Sequence, residues 1–160
     1  MALGVKLLVL LALANAAPLL AKNILRERWC YPLDGRVLFF DGQPIFGASK
    51  TVRGVVAALL VTSLGALFLG LELNIGFSIA VYAMAGDLSS SFIKRRLGRA
   101  SSSRATGLDQ IPEALFPLLA VRSVLSLSWI DIALVVLGFF VGEIVLSKLL
   151  FKYHLRDRPY

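Results

Sequence analysis

The chain has 160 residues, of which 58% are hydrophobic and 17% are charged, and its formal net charge is +7. A soluble domain of this size needs more charge to cover its surface, so the composition excludes that class and predicts a polytopic membrane protein. The positive balance would indicate nucleic-acid binding in a soluble protein, but here we expect anionic lipid headgroups or nucleotides as partners, and no nucleic acid.

Five apolar segments approach the roughly 20 residues that a helix needs to cross the hydrocarbon core of a bilayer. In chain order they cover residues 3–21, 54–71, 73–93, 111–127 and 130–150. The fourth is less apolar than the first three, because it contains Glu113, Pro117 and Arg122. The sequence therefore predicts one all-α domain over residues 1–160, with five transmembrane helices.

Lysine and arginine are concentrated in two long loops, 22–53 and 94–110, and at the C-terminal end. Since cytoplasmic loops carry the excess of positive charge, this pattern predicts an outside N-terminus, with the C-terminus and both loops in the cytoplasm. The first segment ends in LANAAPLL, which resembles a cleaved signal sequence, but cleavage would leave the basic first loop outside. A re-entrant fourth segment would likewise place the basic C-terminus outside. The expected location is the cell membrane, with several passes and a site that faces the cytoplasm.

Asp87 is the single charged residue of the third segment, in the stretch YAMAGDLSSSFIKRR. An aspartate near the centre of a membrane helix costs about 2.5 to 3.5 kcal/mol, so a functional role is favoured over a packing ion pair. Ser91 and Lys94 follow at i+4 and i+7, on the same helical face. This stripe predicts a polar cavity between helices. Arg95 and Arg96 follow at the membrane boundary, where they either anchor the helix or bind phosphate.

Asp109, in ATGLDQIPEALF, lies at or just before the start of the fourth helix, because Pro112 suits a first helical turn. Capping that helix is the ordinary role for an aspartate there. We nevertheless expect Asp109 and Asp87 on the same, cytoplasmic side, since one loop joins their helices. Two carboxylates near a hydroxyl suit Mg²⁺ rather than zinc, and the lone Cys30 and lone His154 form no competing site.

The first loop contains PLDGRVLFFDGQPIFGASKTVRG, with turn signals at Asp34 and Asp41 and an alternation that fits a small hairpin. Lys50 and Arg53 lie three residues apart at the start of the second helix, where backbone N–H groups also attract phosphate. The run GQPIFGASKT resembles a P-loop, but its lysine comes two residues too late for that motif. We therefore expect Lys50 to bind phosphate without a P-loop fold.

Three motifs in order, PLDGRVLFFDGQPIFGASKTVRG, GDLSSSFIKRR and GLDQIPEALF, resemble the CDP-diacylglycerol synthase superfamily of membrane cytidylyltransferases, and in particular its archaeal CDP-archaeol synthase branch. The similarity runs from about Pro32 to Pro117. The bacterial branch has a His-Gly-Gly-containing stretch that ends in Asp-Arg, where this chain has TGLDQ. That difference argues against diacylglycerol as the lipid backbone.

The resemblance implies Mg²⁺-dependent transfer of CMP from CTP to a prenyl-ether glycerol phosphate, 2,3-bis-O-geranylgeranyl-sn-glycerol 1-phosphate, which gives CDP-archaeol and pyrophosphate. It implies that Asp87 and Asp109 bind Mg²⁺ and that Lys94 is catalytic beside them. It implies that the nucleotide and its phosphates contact the other matched positions: Asp34, Lys50, Arg53, Ser91, Arg95 and Arg96. CTP and a lipid phosphate in the membrane are the implied partners, and the chain could form a homodimer.

A small membrane transporter for an anion or a proton-coupled solute is the alternative function, since such proteins also contain intramembrane acids. Against a transporter, the sequence has no visible inverted repeat, five helices cannot be halved evenly, and the polar residues cluster on one side.

Overall fold

The computed structural model describes residues 1–152 except 102, 104 and 106, with side chains described as far as residue 145. His154 lies outside this described part. Five α-helices form it: α1 (Leu3–Leu25), α2 (Val52–Phe68), α3 (Leu73–Arg96), α4 (Gln110–Val121) and α5 (Trp129–Lys152). These described residues contain no β-strand, only two isolated β-bridges in the loop before α2. The prediction of an all-α protein with five helices is confirmed.

The C-terminal end of α3 lies beyond its predicted position at residue 93. The helix continues through the basic triplet to Arg96, and Gly98 closes it with a φ of +65°. The Gly98 N–H donates to the Arg95 carbonyl, and the Arg99 N–H donates to the Lys94 carbonyl. This is the hydrogen-bond pattern of a Schellman motif, in which glycine accepts the left-handed conformation without strain. The basic triplet is therefore helical and keeps the register of Asp87.

The other helix boundaries shift by local hydrogen bonding. Helix α1 continues to Leu25 instead of ending at residue 21. Helix α2 begins two residues before the predicted start because Thr51 caps it, its side chain accepting the N–H of Gly54 at 3.3 Å. Helix α4 ends at Val121 rather than at 127, because residues 122–127 turn back on themselves. The end of α2 and both ends of α5 lie within three residues of the predicted positions.

Helix α3 packs against α1, α2 and α4, while α5 packs against α1 and α4. The interior is aliphatic, and its most buried large side chains include Leu7, Leu10, Leu11, Ile79 and Leu118. Among the described residues, α1 is the helix long and apolar enough to meet the criteria for a membrane span, and α2 and α4 are apolar but shorter. The predicted membrane topology therefore stays a prediction.

Helices α3 and α4 approach each other closely at Gly86. A β-carbon added to Gly86 would lie 2.7 Å from the backbone nitrogen of Glu113 and would overlap the carbonyl oxygen of Pro112. Because backbone atoms cannot move aside as a flexible side chain can, a glycine is required at this crossing. The contact fixes the first turn of α4 beside the next residue of α3, Asp87.

Candidate active site

The loop between α1 and α2 is closed by backbone hydrogen bonds. At its base the Leu33 N–H donates to the Lys50 carbonyl at 2.7 Å. Further along the loop a β-bridge pairs Leu38 with Pro44, and this single bridge takes the place of the predicted hairpin. The backbone of Lys50 is thus held where the loop meets the start of α2.

Asp34 organises this loop from inside. Asp34 is 9% exposed, and its carboxylate accepts hydrogen bonds from the backbone N–H groups of Arg36, Phe46 and Gly47 at 2.9 to 3.0 Å. Burial acts to raise the pKa of Asp34, but the backbone hydrogen bonds that its carboxylate accepts together outweigh burial and lower the pKa from its ordinary value of 3.8. The predicted nucleotide contact of Asp34 stays a prediction, while its observed partners all belong to the loop that carries Lys50.

We expect Asp34→Asn to loosen the loop by roughly 1 to 3 kcal/mol, because the side-chain NH₂ group cannot accept an amide hydrogen. Hydrogen exchange at Phe46 and Gly47 should be faster in the variant.

The same carboxylate predicts a pH dependence. Because the pKa of Asp34 is lowered in the folded protein, the ionised carboxylate stabilises the loop at pH values above its ordinary pKa of 3.8. This stabilisation is lost as the pH falls through the folded pKa. Protection in the wild type should decline in that acid range, whereas the variant should show no such step. Identical exchange in both proteins would contradict this role.

The loop brings Lys50 to the carboxylate of α3. Its Nζ lies within hydrogen-bond distance of both Asp87 oxygens, and the two side chains are 22% and 17% exposed. The sequence predicts a phosphate for Lys50 and favours a metal ion over an ion pair for Asp87, whereas the structure pairs the two side chains directly. The Asp87 carboxylate thus already binds one cationic group, the ammonium group of Lys50.

A second ion pair joins α3 to the start of α4. Lys94 Nζ lies 2.7 Å from Asp109 Oδ1, and the Lys94 side chain is 8% exposed. The other Asp109 oxygen accepts the Ala105 N–H at 2.9 Å, and Lys94 also donates to the Ser103 carbonyl at 3.1 Å. Asp109 occupies the N-cap position of α4, but its side chain makes no capping hydrogen bond. The capping interpretation of this carboxylate is therefore wrong, because the side chain turns to Lys94 and Ala105 instead.

Buried polar groups of α3 complete the site. Ser91 is 2% exposed and lies on the helical face that carries Asp87 and Lys94. Arg95 is 5% exposed, and its Nη2 donates to the Ala100 carbonyl at 2.7 Å. Its Nε is buried without a hydrogen-bond partner among the described residues. A buried donor normally has a partner, so this nitrogen is suited to an anionic ligand.

Two of the predicted phosphate-binding arginines hold the first loop in place. Arg53 is 8% exposed, and its Nη1 donates to the carbonyls of Arg26 and Arg28, which follow α1. Arg96 forms an ion pair with Asp41 at 2.7 Å. Their predicted phosphate contacts stay predictions, because these observed partners are protein groups of the loop.

Glu113 is a further member of the site that sequence reasoning did not select. It is 6% exposed and lies close enough to Asp87, Lys50 and Glu143 to interact with them electrostatically. The spacing of four between Asp109 and Glu113 was the available signal, since it places both acids on one side of a helical turn. Glu143 of α5 therefore also belongs to this acidic neighbourhood.

The donor types fit a hard divalent cation. The described residues contain no group of three His, Cys, Asp or Glu side chains that could hold a metal by themselves. Mg²⁺, however, is commonly bound by one or two carboxylates together with waters and substrate phosphates. Asp87 and Asp109 provide such carboxylates, and each already attracts a lysine ammonium group. The site therefore suits a cation that arrives with a phosphate-bearing substrate.

The sequence model of the CarS-like CDP-archaeol synthase family matches residues 28–160. A CDP-archaeol synthase from Sulfurisphaera tokodaii is 35% identical over 135 residues, which cover 81% of each chain. Another from Staphylothermus marinus is 36% identical over 113 residues, which cover 67% of this chain and 61% of that protein.

A solved structure described as "Structural insight into an intramembrane enzyme for archaeal membrane lipids biosynthesis" shares the fold with a TM-score of 0.75. It is 29% identical in sequence, and the match covers 89% of this chain and 91% of that chain. The matched range, residues 28–160, contains the residues of both lysine–carboxylate pairs. The chain belongs to the CDP-archaeol synthase family.

Proposed function

We propose that this protein transfers CMP from CTP to a prenyl-ether glycerol phosphate, forming CDP-archaeol and releasing pyrophosphate. The observation that carries the proposal is the pair of contacts Lys50–Asp87 and Lys94–Asp109, at the junction of the first loop, α3 and α4. Two polyanions must meet in this reaction, so the protein needs cations for their phosphates and carboxylates for a divalent ion. This site supplies both.

In the proposed mechanism the lipid phosphate is the nucleophile. A phosphate monoester has a second pKa of about 6, so it is largely dianionic at neutral pH and needs no general base. One of its oxygens forms a bond to the α-phosphorus of CTP, while the bond from that phosphorus to the oxygen bridging the β-phosphorus breaks. The electron pair leaves with pyrophosphate. The remaining task of the protein is to hold both anions in line and to offset their charge.

The two lysines and Arg95 have different parts in this proposal. Lys50 and Lys94 exchange their carboxylate partners for phosphate oxygens when CTP enters, which frees Asp87 and Asp109. Bound by those two carboxylates, Mg²⁺ would neutralise charge on the triphosphate. Arg95, whose buried Nε has no hydrogen-bond partner in the described part of the chain, binds the leaving pyrophosphate.

The other predicted site residues serve the same chemistry less directly. Ser91 lies on the face between Asp87 and Lys94 and offers a hydroxyl to a phosphate oxygen. A second group acts chiefly by positioning the loop that carries Lys50, and its members are Asp34, Arg53 and Arg96.

We also propose that all five helices lie in the membrane, with the site on the cytoplasmic side. The excess of lysine and arginine in loops 22–53 and 94–110 supports this orientation. The outward face of α2 supports lipid contact, because Val56, Leu60 and Leu64 are spaced by four and are 47%, 60% and 52% exposed. CTP then arrives from the cytoplasm and the lipid phosphate from the bilayer.

The test is a product assay with purified protein in detergent. With Mg²⁺, CTP and the prenyl-ether glycerol phosphate, we expect CDP-lipid and pyrophosphate in equal amounts. A chelator should stop the reaction, and added Mg²⁺ should restore it. Detergent separates this function from transport, which needs a sealed membrane. Failure of folded protein to form CDP-lipid would refute the proposal, and turnover insensitive to the chelator would refute the metal assignment alone.

A further inference from the structure

The first loop exposes four consecutive apolar side chains. Val37, Leu38, Phe39 and Phe40 are 56%, 59%, 38% and 100% exposed. A run of this kind on a water-facing surface is unfavourable and normally marks a contact surface. We call residues 37–44 the apolar turn.

The apolar turn is held in a defined conformation. Leu38 pairs with Pro44 in a β-bridge. Arg96 attaches the turn to α3, since its guanidinium carbon lies 4.7 Å from the ring centre of Phe39 and 4.8 Å from that of Phe92. It also donates to the Pro44 carbonyl at 2.7 Å. The exposure of the turn is therefore maintained by specific contacts with α3.

These contacts place the apolar turn on the outward side of α3. Phe92 follows the exposed Val81 by about three helical turns, so both residues lie on the same side of the helix. Val81 is 37% exposed, and Tyr82 beside it is 46% exposed. The apolar turn thus continues the exposed apolar surface of α3 beyond the point where the polar site begins.

We propose that the apolar turn inserts into the cytoplasmic leaflet of the bilayer, an inference that rests on the proposed function and topology. The exposed Arg36 next to the turn matches the anionic headgroups that such a segment meets. Trp29 and Tyr31, in the same loop, are 75% and 72% exposed and are typical interfacial residues. Insertion holds the loop, and with it Lys50, at the depth of a lipid phosphate.

Spin labelling tests the insertion directly. Cys30 is the single cysteine, so a Cys30→Ser background accepts one label, at Phe40→Cys or at the control Ala48→Cys, an exposed position of the same loop. In vesicles of phosphatidylcholine and phosphatidylglycerol, the label at position 40 should collide more with oxygen than with a water-soluble nickel chelate. The label at position 48 should show the opposite preference.

Two results would overturn the inference. If the nickel chelate collided equally often with the labels at positions 40 and 48, the apolar turn would lie in water. Protection of position 40 from both reagents would mean that a second copy or another protein covers it. Because the measurement uses no substrate, a failure of insertion is distinguishable from a failure of CMP transfer.

A kinetic measurement gives a second, independent readout. Phe40→Ser should raise the KM for the lipid substrate several-fold and leave the KM for CTP unchanged. Phe68→Ser is the matched control, since Phe68 is 90% exposed at the end of α2, away from the apolar turn. An unchanged lipid KM in Phe40→Ser would contradict a role of the turn in holding the site near its lipid.

Discussion

Replacement of Asp87 with asparagine is expected to reduce the rate of CDP-lipid formation by at least about a hundredfold. Loss of a residue that only orients a metal ligand already reduces activity by up to about a hundredfold, and Asp87 is proposed to bind the metal itself. The amide keeps the size of the side chain but removes the charge that attracts Lys50 and, in the proposed mechanism, a divalent cation. The helix crossing at Gly86 is untouched by this change, so the fold should persist. The assay is the initial rate of pyrophosphate release in detergent, at saturating CTP and over a range of Mg²⁺ concentrations.

Asp131→Asn is the matched control for this variant. Asp131 lies in the first turn of α5, is exposed, and accepts hydrogen bonds from the Ser128 N–H and hydroxyl groups, which an asparagine oxygen can also accept. Its rate should stay close to that of the wild type. Full turnover by Asp87→Asn with an unaltered Mg²⁺ requirement would remove Asp87 from the metal site.

Gly86→Ala is expected to separate α3 from α4 and to abolish activity together with stability. The new methyl group would overlap the Pro112 carbonyl oxygen and would lie 2.7 Å from the Glu113 nitrogen. Since both are backbone atoms of the first turn of α4, relief requires that the helix move, and overpacking of this kind costs about 3 kcal/mol. Movement of α4 also displaces Asp109 from Lys94. The measurement is the thermal unfolding midpoint in detergent, taken alongside the rate.

Gly142→Ala in α5 provides the comparison. A β-carbon at Gly142 would have no heavy atom within 4 Å in the described part of the chain. This variant should therefore have the thermal unfolding midpoint and the reaction rate of the wild type. If Gly86→Ala also kept the wild-type midpoint and rate, the close crossing of α3 and α4 would not be what positions Asp87.

The helices were predictable, whereas their ends depended on hydrogen bonds that composition does not report. Long apolar runs identify the five helices, because each helix must be in contact with apolar groups over its whole length. The extension of α3 to Arg96 depends on the left-handed conformation of Gly98, and the early start of α2 depends on the side chain of Thr51. Such details decide boundaries by a few residues and leave the architecture unchanged.

The site was predictable where it lies along one helix and not where it joins distant segments. Helical spacing placed Ser91 and Lys94 beside Asp87. Asp87 and Lys50 are 37 residues apart in the sequence, and their contact requires the folded loop, so no local sequence pattern predicts it. Glu113 escaped selection because it lies in a segment that is otherwise apolar, and its proximity to Asp87 follows from the crossing at Gly86.

We propose that Asp87 and Asp109 bind the divalent cation that accompanies CTP. The most direct measurement is anomalous diffraction from crystals grown with Mn²⁺ and CTP, in which Mn²⁺ takes the place of Mg²⁺. We predict an anomalous peak at about 2.0 to 2.2 Å from carboxylate oxygens of both residues, with Lys50 moved from Asp87 to a phosphate oxygen. A peak beside CTP but away from both carboxylates, with the Lys50–Asp87 pair intact, would contradict the account.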